Sequence, residues 1–156
     1  MQSIAFQDEI QHNHCYGCGP VNQNGLQIKS YWSEDGEQAI CDWQPKDFHL
    51  AGPAQILNGG IIATIFDCHC VCTAIAAAYR AEGRSIASLP DIWYATGSIQ
   101  VKYLRPTPIA YPVTLHARIK AATQKQTILT ASLYSQGQEN AVAEVLAVRV
   151  PDTWGN

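Results

Sequence analysis

From residue 25 onward apolar and polar positions alternate: Leu26, Ile28 and Ser30 stand against Gln27 and Lys29, and Ala39, Cys41 and Trp43 repeat the pattern beyond Glu34-Asp35-Gly36. Successive strand side chains point to opposite faces, so this spacing predicts two strands joined as a hairpin. The segment before Gly25, rich in Asn, His, Gly and Cys, has no apolar period and predicts irregular chain or a short helix. Pro45 to Pro53 predicts a loop. A run that is apolar on nearly every face then begins at Asn58, a good N-cap, and reaches Arg80 before the stop Glu82-Gly83. Four further segments alternate. Ile99, Val101 and Tyr103 oppose Gln100 and Lys102; Val113, Leu115, Ala117 and Ile119 oppose Thr114, His116, Arg118 and Lys120. Leu129, Ala131 and Leu133 oppose Thr130 and Ser132, and Val145 and Ala147 adjoin Leu146 and Val148. The first three predict half-buried strands and the last a strand apolar on both faces.

The predicted order is two strands, one long helix and four strands. Consecutive strands are expected to pair antiparallel, and an all-round apolar helix needs a sheet that curls about it. The fold class is therefore α+β, a curved antiparallel sheet around one central helix. With so little polar surface on the helix, its remaining face is expected to meet a second copy of the chain, which predicts a homo-oligomer, dimer or tetramer. No repeat or linker-like composition breaks the chain, so residues 1–156 are read as a single domain.

Composition narrows the partners. The chain has 156 residues, 47% hydrophobic and 15% charged, with a formal charge of -3 and no Lys/Arg cluster, so nucleic acid is not an expected partner. The start MQSIAFQDEIQHNH has neither the basic opening nor the apolar run of a signal peptide, which predicts a cytoplasmic protein. Gly59 to Tyr79 approaches membrane-span length, but Asp67 and His69 interrupt it; a buried core helix is expected, and no membrane partner. In a reducing compartment the six cysteines are expected as thiols.

The sharpest constellation is Asn58-Gly59-Gly60 followed by Asp67. Glycines directly after an N-cap let a ligand approach helix-start N–H groups, which carry the positive end of the helix dipole and suit an oxyanion. Asp67 lies seven residues after Gly60, hence on the same helical face, and is the only acidic side chain of the apolar run. Burying a carboxylate is costly unless it is paired or used. The bland readings are a close helix–sheet contact at the glycines and a structural hydrogen-bond acceptor at Asp67. Seven residues of helix span roughly 10 Å, whereas an oxyanion donor and a base or nucleophile must both lie within about 3 Å of one reacting group. A site using both predicts that amide and carboxylate come from different subunits.

The run from Asn58 to Asp67 resembles the HGG…D signature of hotdog-fold acyl-CoA thioesterases of the phenylacetate-pathway (PaaI-like) type. Cys15-Tyr16-Gly17-Cys18-Gly19-Pro20 with Gly25-Leu26, and Ser98 to Pro106, resemble the segments that precede and follow that signature, in the family's order. The resemblance spans about Cys15 to Val150 and implies a sheet-wrapped helix, a dimer with a continuous sheet, often paired into a tetramer, and active sites between subunits. It also implies thioester hydrolysis with no metal or organic cofactor, coenzyme A thioester being the substrate. Carried over, Asp67 attacks the carbonyl or activates water, and Gly60 or Gly59 polarises the carbonyl through its N–H. Thr96, with Ser85 as a weaker candidate, supplies a hydroxyl near the substrate.

The chain departs from the family at Asn58, where the signature opens with His. Asn caps the helix and donates a hydrogen bond but does not titrate near neutral pH, which makes a non-catalytic acyl-CoA binder the alternative reading. Gln55 could hold the thioester or a water. Arg105, with Lys102 and Arg84, could hold coenzyme A phosphates. His12, His14, Cys15 and Cys18 are too crowded to close a tetrahedron, and Cys68, Cys70 and Cys72, stepping by two, are expected to scatter around the helix as packing residues. No metal site is expected. His69 is expected to be a satisfied core or interface histidine.

Overall fold

The computed structural model describes residues 3–155; the domain bounds read from the sequence include residues 1, 2 and 156, which lie outside them. In chain order the elements are α1 (Phe6–Glu9), β1 (Tyr31–Trp32), β2 (Ala39–Trp43), α2 (Gly59–Ala81), β3 (Trp93–Tyr103), β4 (Val113–Ala122), β5 (Gln126–Ser135) and β6 (Gln138–Val150), closed by a 3-10 turn at Asp152–Gly155. The six strands form one antiparallel sheet in the order β1-β2-β4-β5-β6-β3. α2 packs against it.

Alternation decides which face carries the core. Val113, Leu115 and Ala117 of β4, Leu129, Ala131 and Leu133 of β5, and Ala141, Ala143, Val145 and Ala147 of β6 are buried against Ile62, Ile65, Phe66 and Ile75 of α2. Burying each of the Val, Leu, Ile and Phe side chains among them contributes about 1.5–3 kcal/mol, so these layers dominate stability. α2 runs for 23 residues and contains an 18-residue window of mean hydropathy 1.9, apolar and long enough to cross a membrane by composition alone; here most of that window is buried in the core. Gly83 ends it at φ +65°.

Three expectations need correction. Leu26 to Ser30 is not a strand: Gln27 sits at φ 59°, and Leu26 and Ile28 donate their N–H groups to Tyr16 and Gly17 of the N-terminal segment rather than to a hairpin partner. The hairpin is reduced to Tyr31–Trp32 paired with Ala39 and Ile40. β3 does not pair with β4, its neighbour in sequence. It crosses to the far edge and pairs with β6, because nine irregular residues follow it instead of a tight turn. Nor is β3 half-buried throughout, since Thr96 to Gln100 are exposed on both faces, with Ile99 38% and Tyr103 52% exposed.

Candidate functional site

The start of α2 is held by Asn58. Its Oδ1 accepts from the N–H groups of Gly60 (2.8 Å) and Ile61 (3.1 Å), its Nδ2 donates to the Leu50 carbonyl (3.3 Å), and its own N–H donates to the His49 carbonyl (3.0 Å). The cap thus satisfies two orphan amides and ties the preceding loop to the helix. Of the two glycine amides singled out by sequence, Gly60 N–H is already engaged. Gly59 N–H has no acceptor among the described residues. Tyr103, at the end of β3, donates its hydroxyl to the Gly59 carbonyl at 2.6 Å.

Asp67 lies on the one side of α2 that the sheet leaves partly open, in line with Gly60 and Thr64. Its partner is Thr96, whose Oγ1 donates to Oδ1 at 2.5 Å, and no cation pairs with it among the described residues. Burial pushes the carboxyl above its ordinary range, and the Thr96 hydrogen bond opposes that rise. Thr96 sits beside a bulge: the β3–β6 register shifts between Thr96 and Ser98, leaving Gly97 without a partner. A side chain at Gly97 would press on Val148 at 2.8 Å, so glycine lets this edge strand stay against β6 at the bulge.

The other sequence candidates are dispersed. Gln55 is exposed on the turn before the helix, its carbonyl accepting from Ile109. Arg105 is exposed beyond β3, donating to Gln138 Oε1 at 3.1 Å, and lies at the same end of the molecule as the helix start. Ser85 sits past the far end of α2, separated from Asp67 in its own protomer by about 20 Å of helix. Arg84 is engaged there with Glu82 at 2.8 Å, while Lys102 is exposed on β3. Of the sequence candidates, therefore, only Thr96 joins Asp67 within the chain.

His69 is a satisfied core residue. Its Nδ1 accepts from the Ser30 hydroxyl (2.8 Å), Ser30 Oγ accepts from Gln7 Nε2 (2.8 Å), and its Nε2 donates to the Ala39 carbonyl (3.2 Å). Burial holds its pKa down at about 4, so it is neutral at pH 7.

The cysteine reading is corrected in part. Cys70 turns into the core alone, but Cys68 and Cys72 are four residues apart, share one face of α2, and meet Cys15 and Cys18 of the N-terminal segment. Sequence reading also missed Tyr103; its alternation marked it as a strand residue, and only the crossing of β3 brings it to the helix start.

No family model and no curated protein sequence matches the chain. Solved structures do. A thioesterase superfamily protein from Shewanella loihica PV-4 is 32% identical, covering 88% of this chain and 95% of that one at a TM-score of 0.65. A phenylacetic acid degradation-related protein of Ralstonia eutropha JMP134 is similar at 16% identity, with 85% and 92% covered and a TM-score of 0.66. The PaaI protein of the E. coli phenylacetic acid degradation operon is similar at 15% identity, with 81% of each chain covered and a TM-score of 0.64. The last two share the fold. The first, at its identity and coverage, carries the family: this chain belongs to the thioesterase superfamily and has its hotdog fold.

Proposed function

We propose that the protein hydrolyses a small acyl- or aryl-CoA thioester to the free acid and coenzyme A, without a metal or organic cofactor in the chemistry. The observation that carries this reading is Asp67, a carboxylate on the open side of a largely apolar helix, met by a hydroxyl and, among the described residues, by no cation. Asp67 either takes a proton from the water that adds to the thioester carbonyl or adds to it directly; in both cases the carbon–sulfur bond breaks with its electron pair leaving on the coenzyme A sulfur, and after direct addition a water hydrolyses the acyl–aspartyl anhydride to the free acid and restores the carboxylate. The oxyanion is received at the helix start. Among the described residues Gly59 N–H has no acceptor and is the open donor, with Gly60 N–H shared with the Asn58 cap.

Helix length keeps Gly59 and Asp67 of one protomer from serving the same carbonyl, roughly 12 Å of axis lying between them. The reading therefore pairs the amide of one copy with the carboxylate of another. β3 supports this as an unpaired sheet edge whose residues from Thr96 to Gln100 are open on both faces, beside the Thr96–Asp67 pair. The exposed Arg105, on the segment after β3, is assigned in this reading to a coenzyme A phosphate, and the protein to the cytoplasm.

Thiol release over a panel of acyl-CoAs tests it. Wild type is expected to turn over at least one short or aromatic acyl-CoA, and Asp67→Asn to slow it by about 10²–10⁴-fold, the usual worth of a positioned acid or base. Full turnover by Asp67→Asn overturns the assignment. One observation favours a second reading, an acyl-CoA binder: the Asn58 carboxamide occupies the Gly60 amide. Calorimetry showing tight binding of an acyl-CoA with no thiol released selects that reading.

A further inference from the structure

The N-terminal segment approaches α2 through sulfur. Cys15, Cys18 and Cys68 bring their Sγ atoms within 4.8 Å of one another, with Cys15 and Cys68 3.6 Å apart. Cys72, one turn further along α2, lies 3.8 Å from Cys18. These are not disulfide distances, which lie near 2.05 Å. Tetrahedral zinc with bonds of about 2.3 Å sets neighbouring sulfurs about 3.8 Å apart, a spacing that Cys15, Cys18 and Cys68 approach together and that Cys72 meets toward Cys18.

The surrounding chain is shaped to hold this arrangement. Cys15 to Cys18 forms a tight knuckle in which Gly19 N–H donates to the Cys15 carbonyl at 2.7 Å, and Asn13 Oδ1 accepts from Cys15 N–H at 3.1 Å. Asn13 Nδ2 also donates to Cys18 Sγ at 3.6 Å, the kind of outer contact that orients a ligand thiolate. Gly17 allows the approach, since a Cβ there would fall 2.1 Å from Cys68 Sγ. Leu26 and Ile28 pin the knuckle from behind through the Tyr16 and Gly17 carbonyls. Cys18, Cys68 and Cys72 are buried, whereas Cys15 is exposed and gives an ion its way in.

We infer that Cys15, Cys18, Cys68 and Cys72 form a structural site for a zinc-class divalent cation, a Cys-x-x-Cys knuckle closing over a Cys-x-x-x-Cys face of α2. Soft thiolates select zinc-like ions over magnesium or calcium. Binding forms four metal–sulfur bonds and releases the thiol protons to solvent, with no change of oxidation state. An iron–sulfur cluster, with inorganic sulfide between its irons, would hold its thiolates further apart than the 3.6 Å of Cys15–Cys68 and the 3.8 Å of Cys18–Cys72. The site would clasp the N-terminal segment onto the helix that carries Asp67, independently of what the active site hydrolyses.

Cobalt and zinc added to the reduced, chelator-treated full chain test this. Cobalt is expected to give one equivalent per chain with the sulfur-to-metal charge-transfer and intense visible bands of a tetrahedral thiolate site, bleached by one equivalent of zinc. Cys15→Ser, at an exposed position, should retain the fold by circular dichroism and weaken zinc by about 100-fold or more, beyond the 10–100-fold that an outer partner is worth. Cys70→Ala, in the core and away from the cluster, should leave the bands and stoichiometry unchanged. Absence of thiolate bands in the reduced wild type overturns the site, as does equal metal binding by wild type and a folded Cys15→Ser. If mass spectrometry finds a Cys15–Cys68 or Cys15–Cys18 disulfide that persists under the reducing conditions of the titration, the cluster is a redox pair and the inference falls.

Discussion

Replacing Asn58 by Ala removes two hydrogen bonds to helix amides and a third to the Leu50 carbonyl. Loss of an N-cap costs about 1 kcal/mol, and a further neutral hydrogen bond about 1 kcal/mol, so Asn58→Ala should lose about 2 kcal/mol. At roughly 2–4 °C per kcal/mol for a domain of this size, Tm falls by about 4–8 °C. Asn58→Asp separates the two duties of this residue. It keeps an oxygen for the Gly60 and Ile61 amides and gains about 0.3–1 kcal/mol from the helix dipole, offsetting the lost donor to Leu50. Its stability should stay near wild type. Yet it sets a negative charge beside the amide proposed to receive the oxyanion. Two unit charges about 5 Å apart at an effective dielectric near 20 repel by about 3 kcal/mol, which is about two orders of magnitude in rate. Thermal denaturation of all three proteins, alongside thiol release from the best acyl-CoA, reads both effects. An unchanged Tm in Asn58→Ala would show that the cap contributes nothing; wild-type turnover by Asn58→Asp would falsify the helix start as the oxyanion site.

Two further outcomes follow from the structure. Ile99→Lys places a charge on the open edge strand, where an isologous contact would meet it twice, while costing one protomer little. Sedimentation should show the assembly dissociating and thiol release falling with it; an intact, active oligomer would move the contact elsewhere. His49 is buried, its Nδ1 accepts from Lys46 N–H at 3.0 Å, and burial followed by the Lys46 charge holds its pKa below the ordinary histidine range. The unfolded chain takes up that proton near pH 6.5 and the folded chain only at lower pH, so the stability is complete above about 6.5 and declines as pH falls through the folded value. Between about pH 7 and pH 5, Tm of wild type should drop more than that of His49→Asn; parallel curves would show that His49 does not titrate against the fold.

What could be read from the sequence was local. Asn58, the glycines and Glu82-Gly83 announce the helix because capping and termination depend on a few adjacent residues, and the structure places α2 between them. β4, β5 and β6 follow from alternation because each has one face toward the core. Leu26 to Ser30 misled because burial there does alternate, yet the backbone partners are Tyr16 and Gly17 and not a strand. The Asp67–Thr96 contact spans 29 residues and depends on β3 crossing to the far edge, which no pattern within β3 encodes. The cysteines escaped for a related reason. Reading 68, 70 and 72 as a step of two hid the four-residue spacing of the outer pair, and their counterparts lie over 50 residues away.

The hydroxyl of Tyr103 on the Gly59 carbonyl bears on how the proposed activity would respond to dilution. The same peripheral strand steadies the carboxylate through Thr96 and the first helical peptide through Tyr103, so loosening that strand would disturb both ends of the reaction centre together. With the proposed site shared between two copies, output per molecule would be set by how often two chains meet, making abundance in the cell a throttle on the proposed chemistry.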